Sequence, residues 1–230
     1  MRELIMNVPA MLALTVGAYL LGVWVRKKSG ISLLHPFVIS LPVVMAVLKV
    51  FDIPFEFYKE SNYVVDFLLG PSVVALGYLL YDKRVVVRQN IVGILSSVMT
   101  GSVVGVASVY LLCRLFDLDE IFILSLEAKS VTTPIAMDIT ASLGGNLSLA
   151  AVSVVICGFL GATFGPLCVK LFGIKSPVAK GLALGCASHG LGTARAIELG
   201  AIEGAVSGLS IALMGIATSL IAPLFNIFVF

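Results

Sequence analysis

Charge is what this sequence has least of. Only 12% of its 230 residues are charged and 59% are hydrophobic, against about 25% charged in an ordinary soluble domain. It also lacks any long polar tail or linker, so no second domain is expected and 1–230 reads as a single integral membrane domain. Cysteine is scarce. Cys113, Cys157, Cys168 and Cys186 have no metal-ligand spacing and lie among apolar residues, where they read as small packing groups. Neither a G-x-S-x-G elbow nor an H-E-x-x-H helix occurs. Ser188 and His189 are adjacent, so their side chains diverge and do not form a hydrolase pair. The expectation is a protein that is not an enzyme and carries neither metal nor cofactor. A net charge of +2 does not point to nucleic acid; the basic residues read as topology signals.

What is present is a succession of apolar runs of membrane-spanning length, roughly 20 residues each. Spans are expected at 4–25, 31–50, 63–82, 90–114, 147–171 and 204–228, with His35 beside Pro36 as a span-start residue. Segment 52–62 is acidic and aromatic and reads as a surface loop or interfacial helix. The fold class is therefore an all-α polytopic membrane protein with about six to eight membrane elements, some of them broken or re-entrant. In the first run the basic cluster Arg26-Lys27-Lys28 follows the apolar stretch rather than preceding it, unlike a signal peptide. It reads as a retained span with its N-terminus outside.

Positive charge then discriminates between two layouts. With the N-terminus outside, Arg26-Lys27-Lys28 and Lys83, Arg84 and Arg88 lie inside, and the acidic Asp117, Asp119 and Glu120 lie outside. If 121–145 crossed the membrane, Lys170, Lys175 and Lys180 would fall outside, against the positive-inside rule. A re-entrant hairpin at 121–145, with Pro134 near its middle and Gly144-Gly145 at its end, keeps them inside. An internal repeat points the same way. Asn90, Gly105, Arg114, Leu115 and Phe116 recur as Asn146, Gly161, Lys170, Leu171 and Phe172 at an offset of 56, and Ser72, Ser130 and Ser188 are spaced by 58. Each unit would be one span plus one broken element, an arrangement that recurs in transporters. GxxxG spacings such as Gly101/Gly105, Gly161/Gly165 and Gly181/Gly185 allow close helix packing within one subunit and leave a homodimer open.

Two polar stretches stand out from the apolar background. The first is Lys129-Ser130-Val131-Thr132-Thr133-Pro134, the second Ser188-His189-Gly190-Leu191-Gly192-Thr193-Ala194-Arg195. Irregular backbone at membrane depth survives only when buried in protein or lining a wet cavity. Lys129 either snorkels to the interface or serves a site, and Glu127 is its nearest acidic neighbour. Ser130, Thr132 and Thr133 precede Pro134, which suits the first turn of a helix. They either merely cap that helix or help its free N–H groups hold a carboxylate. Gly190 and Gly192 are expected to break the second element, as Gly70-Pro71 and Pro134 are expected to break theirs. Ser188, His189, Thr193 and Arg195 are the candidate ligands there. Arg195 suits bidentate carboxylate binding, or it pairs with Glu198 three residues on. Asp66 and Asp138, with Glu198, are candidate acids for coupling to a proton or sodium.

Leu69-Gly70-Pro71-Ser72-Val73-Val74-Ala75-Leu76, Lys129 to Met137, Gly144-Gly145 and Gly181 to Arg195 together resemble the LrgB/CidB family along nearly the whole chain. The resemblance implies a bacterial cytoplasmic-membrane protein, the larger partner of a holin-like LrgA/CidA-type membrane protein, tied to murein hydrolase control and cell lysis. It also implies kinship with the C-terminal half of the plastid glycolate/glycerate transporter, and hence with small carboxylates such as pyruvate, lactate and acetate. Two positions depart from the family pattern: Ala128 stands where proline is usual, and Gly190 where alanine is usual. Both resemblance and residues lead to one expectation, a secondary transporter of small monocarboxylates with the two polar stretches forming one site. The alternative is a holin/antiholin-type regulator acting with an LrgA/CidA-like partner. In the transporter reading Lys129, His189 and Arg195 should converge to within roughly 20 Å, two helix diameters.

Overall fold

The computed structural model describes residues 7–30 and 36–229. Among these residues every regular element is a helix. Five helices are long and apolar enough to cross a membrane, and the protein is a multi-pass membrane protein. The expected starts of the first two spans, at 4–6 and at 31–35 with His35, lie outside the described residues. Contacts divide the chain into two compact units, 1–75 and 76–230.

In the first unit, α1 (Val8–Ser29) opens on Asn7, whose side chain accepts a bond from the Ala10 N–H, and closes on a left-handed Gly30. It packs on α2 (Pro36–Val50), where Gly22 admits the Pro36 backbone; a Cβ there would lie 2.8 Å from the Pro36 Cα. The short α3 (Phe55–Ser61) fills the expected interfacial segment. It is tied to α1 by Thr15, whose hydroxyl reaches Tyr58 Oη at 2.8 Å and Asn62 Oδ1 at 2.7 Å. The helix α4 (Tyr63–Asp82) leads out of this unit. It passes through Gly70 and Pro71 without interruption, so the break expected there does not occur. A proline removes one backbone bond but does not by itself end a helix whose flanks are uniformly apolar.

The second unit contains the repeat. After the short α5 (Arg84–Gln89), α6 (Ile91–Leu115) has 25 residues, as does α9 (Leu147–Leu171). The two begin 56 residues apart, follow Asn90 and Asn146, and end on Phe116 and Phe172. At 1.5 Å per residue each is about 37 Å long, enough for a hydrocarbon layer of about 30 Å. Each is followed by a folded-back element. After α6 come α7 (Glu120–Leu126), a loop at 127–132, and α8 (Thr133–Leu143). These helices have 7 and 11 residues, about 10 and 16 Å, and neither spans a bilayer. The Asn146 N–H donates to Ser125 Oγ at 2.7 Å, so the end of α8 returns beside α7, and 121–145 is a hairpin.

After α9, α10 (Pro177–Leu199) is a second hairpin rather than a rod. Ser188 (φ −140°, ψ 15°) and His189 (φ 41°, ψ −124°) are non-helical. Residues 184 and 192 would be about 12 Å apart in a straight helix, yet Gly192 lies against the Leu184 carbonyl. The arm before the turn runs beside the start of α11 (Ala201–Val229), Gly181 against Glu203 and Gly185 against Ser207. The arm after it runs back: Thr193 Oγ1 meets Ser207 Oγ at 2.7 Å, and Ile197 meets Gly204.

The same contacts fix direction. Ser102 with Thr218 (2.9 Å) and Tyr110 with Phe225 (ring centroids 5.6 Å) advance together, so α6 and α11 are parallel. Gly165 meets Leu184 and Gly161 meets Ser188, so α9 is antiparallel to the first arm of α10, and that arm is parallel to α11. Hence α6 and α9 are antiparallel, and the two repeat units enter the membrane from opposite faces. The third copy suggested by Ser72 has no hairpin, because Ser72 sits within the unbroken α4.

Glycine is what lets these hairpins seat. A Cβ on Gly185 would lie 2.6 Å from the Ser207 carbonyl oxygen, whereas one on Gly93 meets nothing within 4 Å. Gly185→Ala should therefore cost about 1–3 kcal/mol from overpacking, and Gly93→Ala should be neutral or stabilising. Thermal unfolding of the purified variants in detergent checks the contrast.

Candidate functional site

The two hairpin tips meet on the middle of α9. Cys157, ten residues into that helix, is about 15 Å from its start, half the hydrocarbon thickness. Its thiol donates to the Ala187 carbonyl at 3.2 Å, immediately before the turn of the second hairpin. Its sulfur also contacts Ser130 Oγ, in the tip of the first, at 3.9 Å. One turn earlier the Val154 carbonyl meets His189 Nε2 at 3.0 Å. The tips are thus pinned to one helix through Ser130, Ala187 and His189. By sequence alone Cys157 reads as a packing residue. Nothing local distinguishes it from the other cysteines, and its role comes from contacts 27 and 30 residues away.

The first tip places its polar groups as Pro134 suggests. Thr132 is the extended N-cap of α8 and Pro134 lies in the first turn, but the Thr132 side chain makes no capping bond. The first N–H groups of α8 therefore keep their donor capacity and the partial positive charge of a helix start. Lys129 is half-buried and its Nζ donates to the Gly105 carbonyl at 3.3 Å. Gly105 is ten residues, about 15 Å, from the end of α6, again mid-membrane. Glu127, the expected partner of Lys129, is turned elsewhere. Its Oε2 accepts from Asn226 Nδ2 at 2.9 Å, 99 residues away.

In the second tip the break falls on Ser188 and His189, not on Gly190 and Gly192 as expected. Both glycines are helical. A non-glycine residue at φ 41°, ψ −124° is strained, and the ring contact to Val154 together with burial holds it there. Gly192 serves instead as the surface on which the arms touch. Ser188 Oγ is fully buried against Gly161 and has no hydrogen-bond partner among the described residues. Leaving such a group unsatisfied costs about 1–3 kcal/mol.

Other expected site residues lie apart. Thr193 faces Ser207 inside the packed interface. Arg195 is one turn and more beyond the tip and is ion-paired to Glu198. Asp66 and Asp138 are exposed rather than buried, because each lies on the outward face of its helix. Lys129, Ser130 and His189 are brought together around Cys157; Arg195 lies six residues, about 9 Å, along the returning arm from His189 and is turned to Glu198.

A cavity of about 490 Å³ runs along α9 beside the first arm of α10, lined by Cys157, Leu160, Gly161, Phe164, Leu184 and Ser188 among others. At one end it reaches Cys157, Ala187 and Ser188, at the turn of the second hairpin. Val169 and Ile174 also line an adjoining pocket of about 330 Å³ that carries Lys170, Lys175 and Lys180. The two pockets together have a basic mouth and an apolar wall. Among the described residues no cluster of three metal-ligating side chains occurs.

The meeting of the tips is testable without any ligand. In a chain retaining only Cys157, Ser130→Cys should form a disulfide with it under mild oxidation, whereas Asp138→Cys should not. Peptide mapping of the oxidised protein reads the result.

The family model for the LrgB-like family matches residues 15–228. The Bacillus subtilis (strain 168) protein YxaC is 38% identical, with 92% of both chains aligned. The antiholin-like protein LrgB of the same strain is 30% identical over 93% of each chain. The antiholin-like protein LrgB of Bacillus mycoides (strain KBAB4) is 32% identical over 92% of this chain and 93% of its own. No solved structure matches the chain. With nearly its whole length aligned and the polar stretches of that resemblance folded into two opposed hairpins, the chain belongs to the LrgB-like family.

Proposed function

We propose that this protein carries a small monocarboxylate, of the glycolate, glycerate, lactate or pyruvate kind, through the junction of its two hairpin tips. The observation that supports this reading most is that junction: two re-entrant elements from opposite faces ending on Cys157 at mid-membrane. Such broken elements at a midplane site are a transporter architecture. Lys129 supplies one positive charge, matched to one carboxylate. The start of α8 supplies free N–H donors, and Ser130, Thr132, Thr133 and Ser188 supply hydroxyls for a hydroxy or keto group. The mouth with Lys170, Lys175 and Lys180 concentrates anions at one end of the path. In this reading His189 anchors the second tip, and Arg195 stiffens its returning arm through Glu198.

The names of the relatives support a second reading more directly than the first, that of an antiholin-like protein; the family resemblance extends it to a regulator of murein hydrolase activity and lysis working with an LrgA/CidA-like membrane partner. The two readings are compatible if carboxylate flux is the signal that the lysis machinery senses.

Lys129→Ala separates them. In proteoliposomes loaded with unlabelled glycolate, the wild type should exchange labelled glycolate, and the variant should do so about a hundredfold more slowly. Arg195→Ala should keep most of the exchange. Equal exchange by Lys129→Ala and wild type removes the site. Full restoration of normal lysis by Lys129→Ala in a bacterium lacking its own LrgB-type protein supports regulation by assembly alone.

A further inference from the structure

The buried acid that the transport site leaves unused is Glu127. It lies just after α7, at the entrance to the first tip, and is 2% exposed. Asn226, on the last turn of α11, is 8% exposed. Asn226 Nδ2 donates to Glu127 Oε2 at 2.9 Å. The other two oxygens of this pair, Glu127 Oε1 and Asn226 Oδ1, are both buried and have no hydrogen-bond partner among the described residues. Two buried acceptors without a protein donor are uncommon. Here one particle supplies what both lack. A proton on Oε1 turns it into a donor to Oδ1, and the pair becomes the reciprocal acid–amide ring, with N–H to Oε2 and O–H to Oδ1.

The charged and titratable groups around the pair are otherwise occupied. Lys129, in the same loop, is bonded to the Gly105 carbonyl. On α6, the Cys113 thiol lies near enough to sense the Glu127 charge. Tyr110 packs edge-to-face against Phe225 beside Asn226, and Arg114 sits over the Tyr110 ring at 5.3 Å. On α11 the partner is the neutral amide.

We infer that Glu127 and Asn226 form the proton site that couples this chain's transport to the proton gradient, the proton binding between Glu127 Oε1 and Asn226 Oδ1. This rests on the transport reading for its consequence, though not for its chemistry. The placement gives coupling a physical route. Glu127 is two residues from Lys129 in one short loop and is fastened across to α11, so gain or loss of the ring loosens or fixes the same tip that holds the carboxylate. Asp66, Asp138 and Glu198 lack this enclosure: all three are exposed.

Two measurements test it, one independent of transport. In infrared spectra of the purified protein across a pH titration, the wild type should show a protonated-carboxyl band that Glu127→Gln lacks and Asn226→Leu shifts. Absence of any difference between wild type and Glu127→Gln overturns the proton site. In proteoliposomes, an imposed gradient of about one pH unit should drive about tenfold accumulation of labelled glycolate at one-to-one coupling. Glu127→Gln should lose that accumulation while still exchanging glycolate at equal pH. Accumulation by Glu127→Gln equal to wild type, or accumulation by wild type driven by a sodium gradient alone, overturns the coupling. A wild type that neither exchanges nor accumulates glycolate, yet shows the infrared band, overturns the transport reading and the coupling role while leaving the proton site standing.

Discussion

Backbone N–H and C=O groups inside a bilayer have no water to bond, and each break in a helix must therefore be covered by protein. The second unit of this chain is organised around meeting that condition twice. The tip at 127–132 is covered by α6, α9 and α11, through Gly105, Cys157 and Asn226. The tip at 188–189 is covered by α9 and by its own arms, through Val154, Gly161 and Gly192. One helix, α9, serves both. This explains why its middle carries small residues: Cys157, Gly158 and Gly161 leave room for side chains and a carbonyl from elsewhere, and Cys157 gives the two tips a common polar contact.

The repeat follows from the same condition. A hairpin that stops at mid-membrane needs a full span beside it to satisfy its outer surface, so span and hairpin form the smallest self-covering unit. Asn90 and Asn146 mark the starts of those spans and Phe116 and Phe172 their ends. Because each hairpin returns the chain to the side it left, the next span must run the other way. Inversion of the second unit relative to the first is thus a consequence of one re-entrant element between two spans, and it brings the tips together from opposite faces.

Much of this was legible in the residues. The span at 147–171 and the hairpin at 121–145 follow from apolar length and from three lysines, and the offset of 56 follows from matched residues at the ends of the two spans. The site was legible only in part. Glycine is expected to break a helix, yet Gly190 and Gly192 are helical and the turn falls on Ser188 and His189. Close approach of two arms, not φ freedom, is what Gly192 provides. Gly70 and Pro71 show the converse, a breaker pair inside a continuous helix. Cys157 and the Glu127–Asn226 pair were hidden because their meaning lies in partners 27 to 99 residues away, and no local pattern encodes such a partner.

In the transport reading, few parts are required to gate the path. Each tip is attached to the membrane face from which its arms enter, and both end on α9. In that reading, displacing the first tip would open the junction toward the acidic end of α6, and displacing the second would open it toward the lysine-bearing pocket. Neither motion requires the other, because Ser130 and Ala187 contact Cys157 through separate bonds. The bonds are weak ones, a thiol to a carbonyl and a hydroxyl to a sulfur, each contributing no more than about 0.5–1.5 kcal/mol net. A path that opens and closes, as the transport reading requires, needs contacts of that size. A buried ion pair at the same place would be far harder to break, and the charged residues nearby are arranged so that none forms there: Arg195 is held by Glu198, Lys129 by a carbonyl, and Glu127 by an amide.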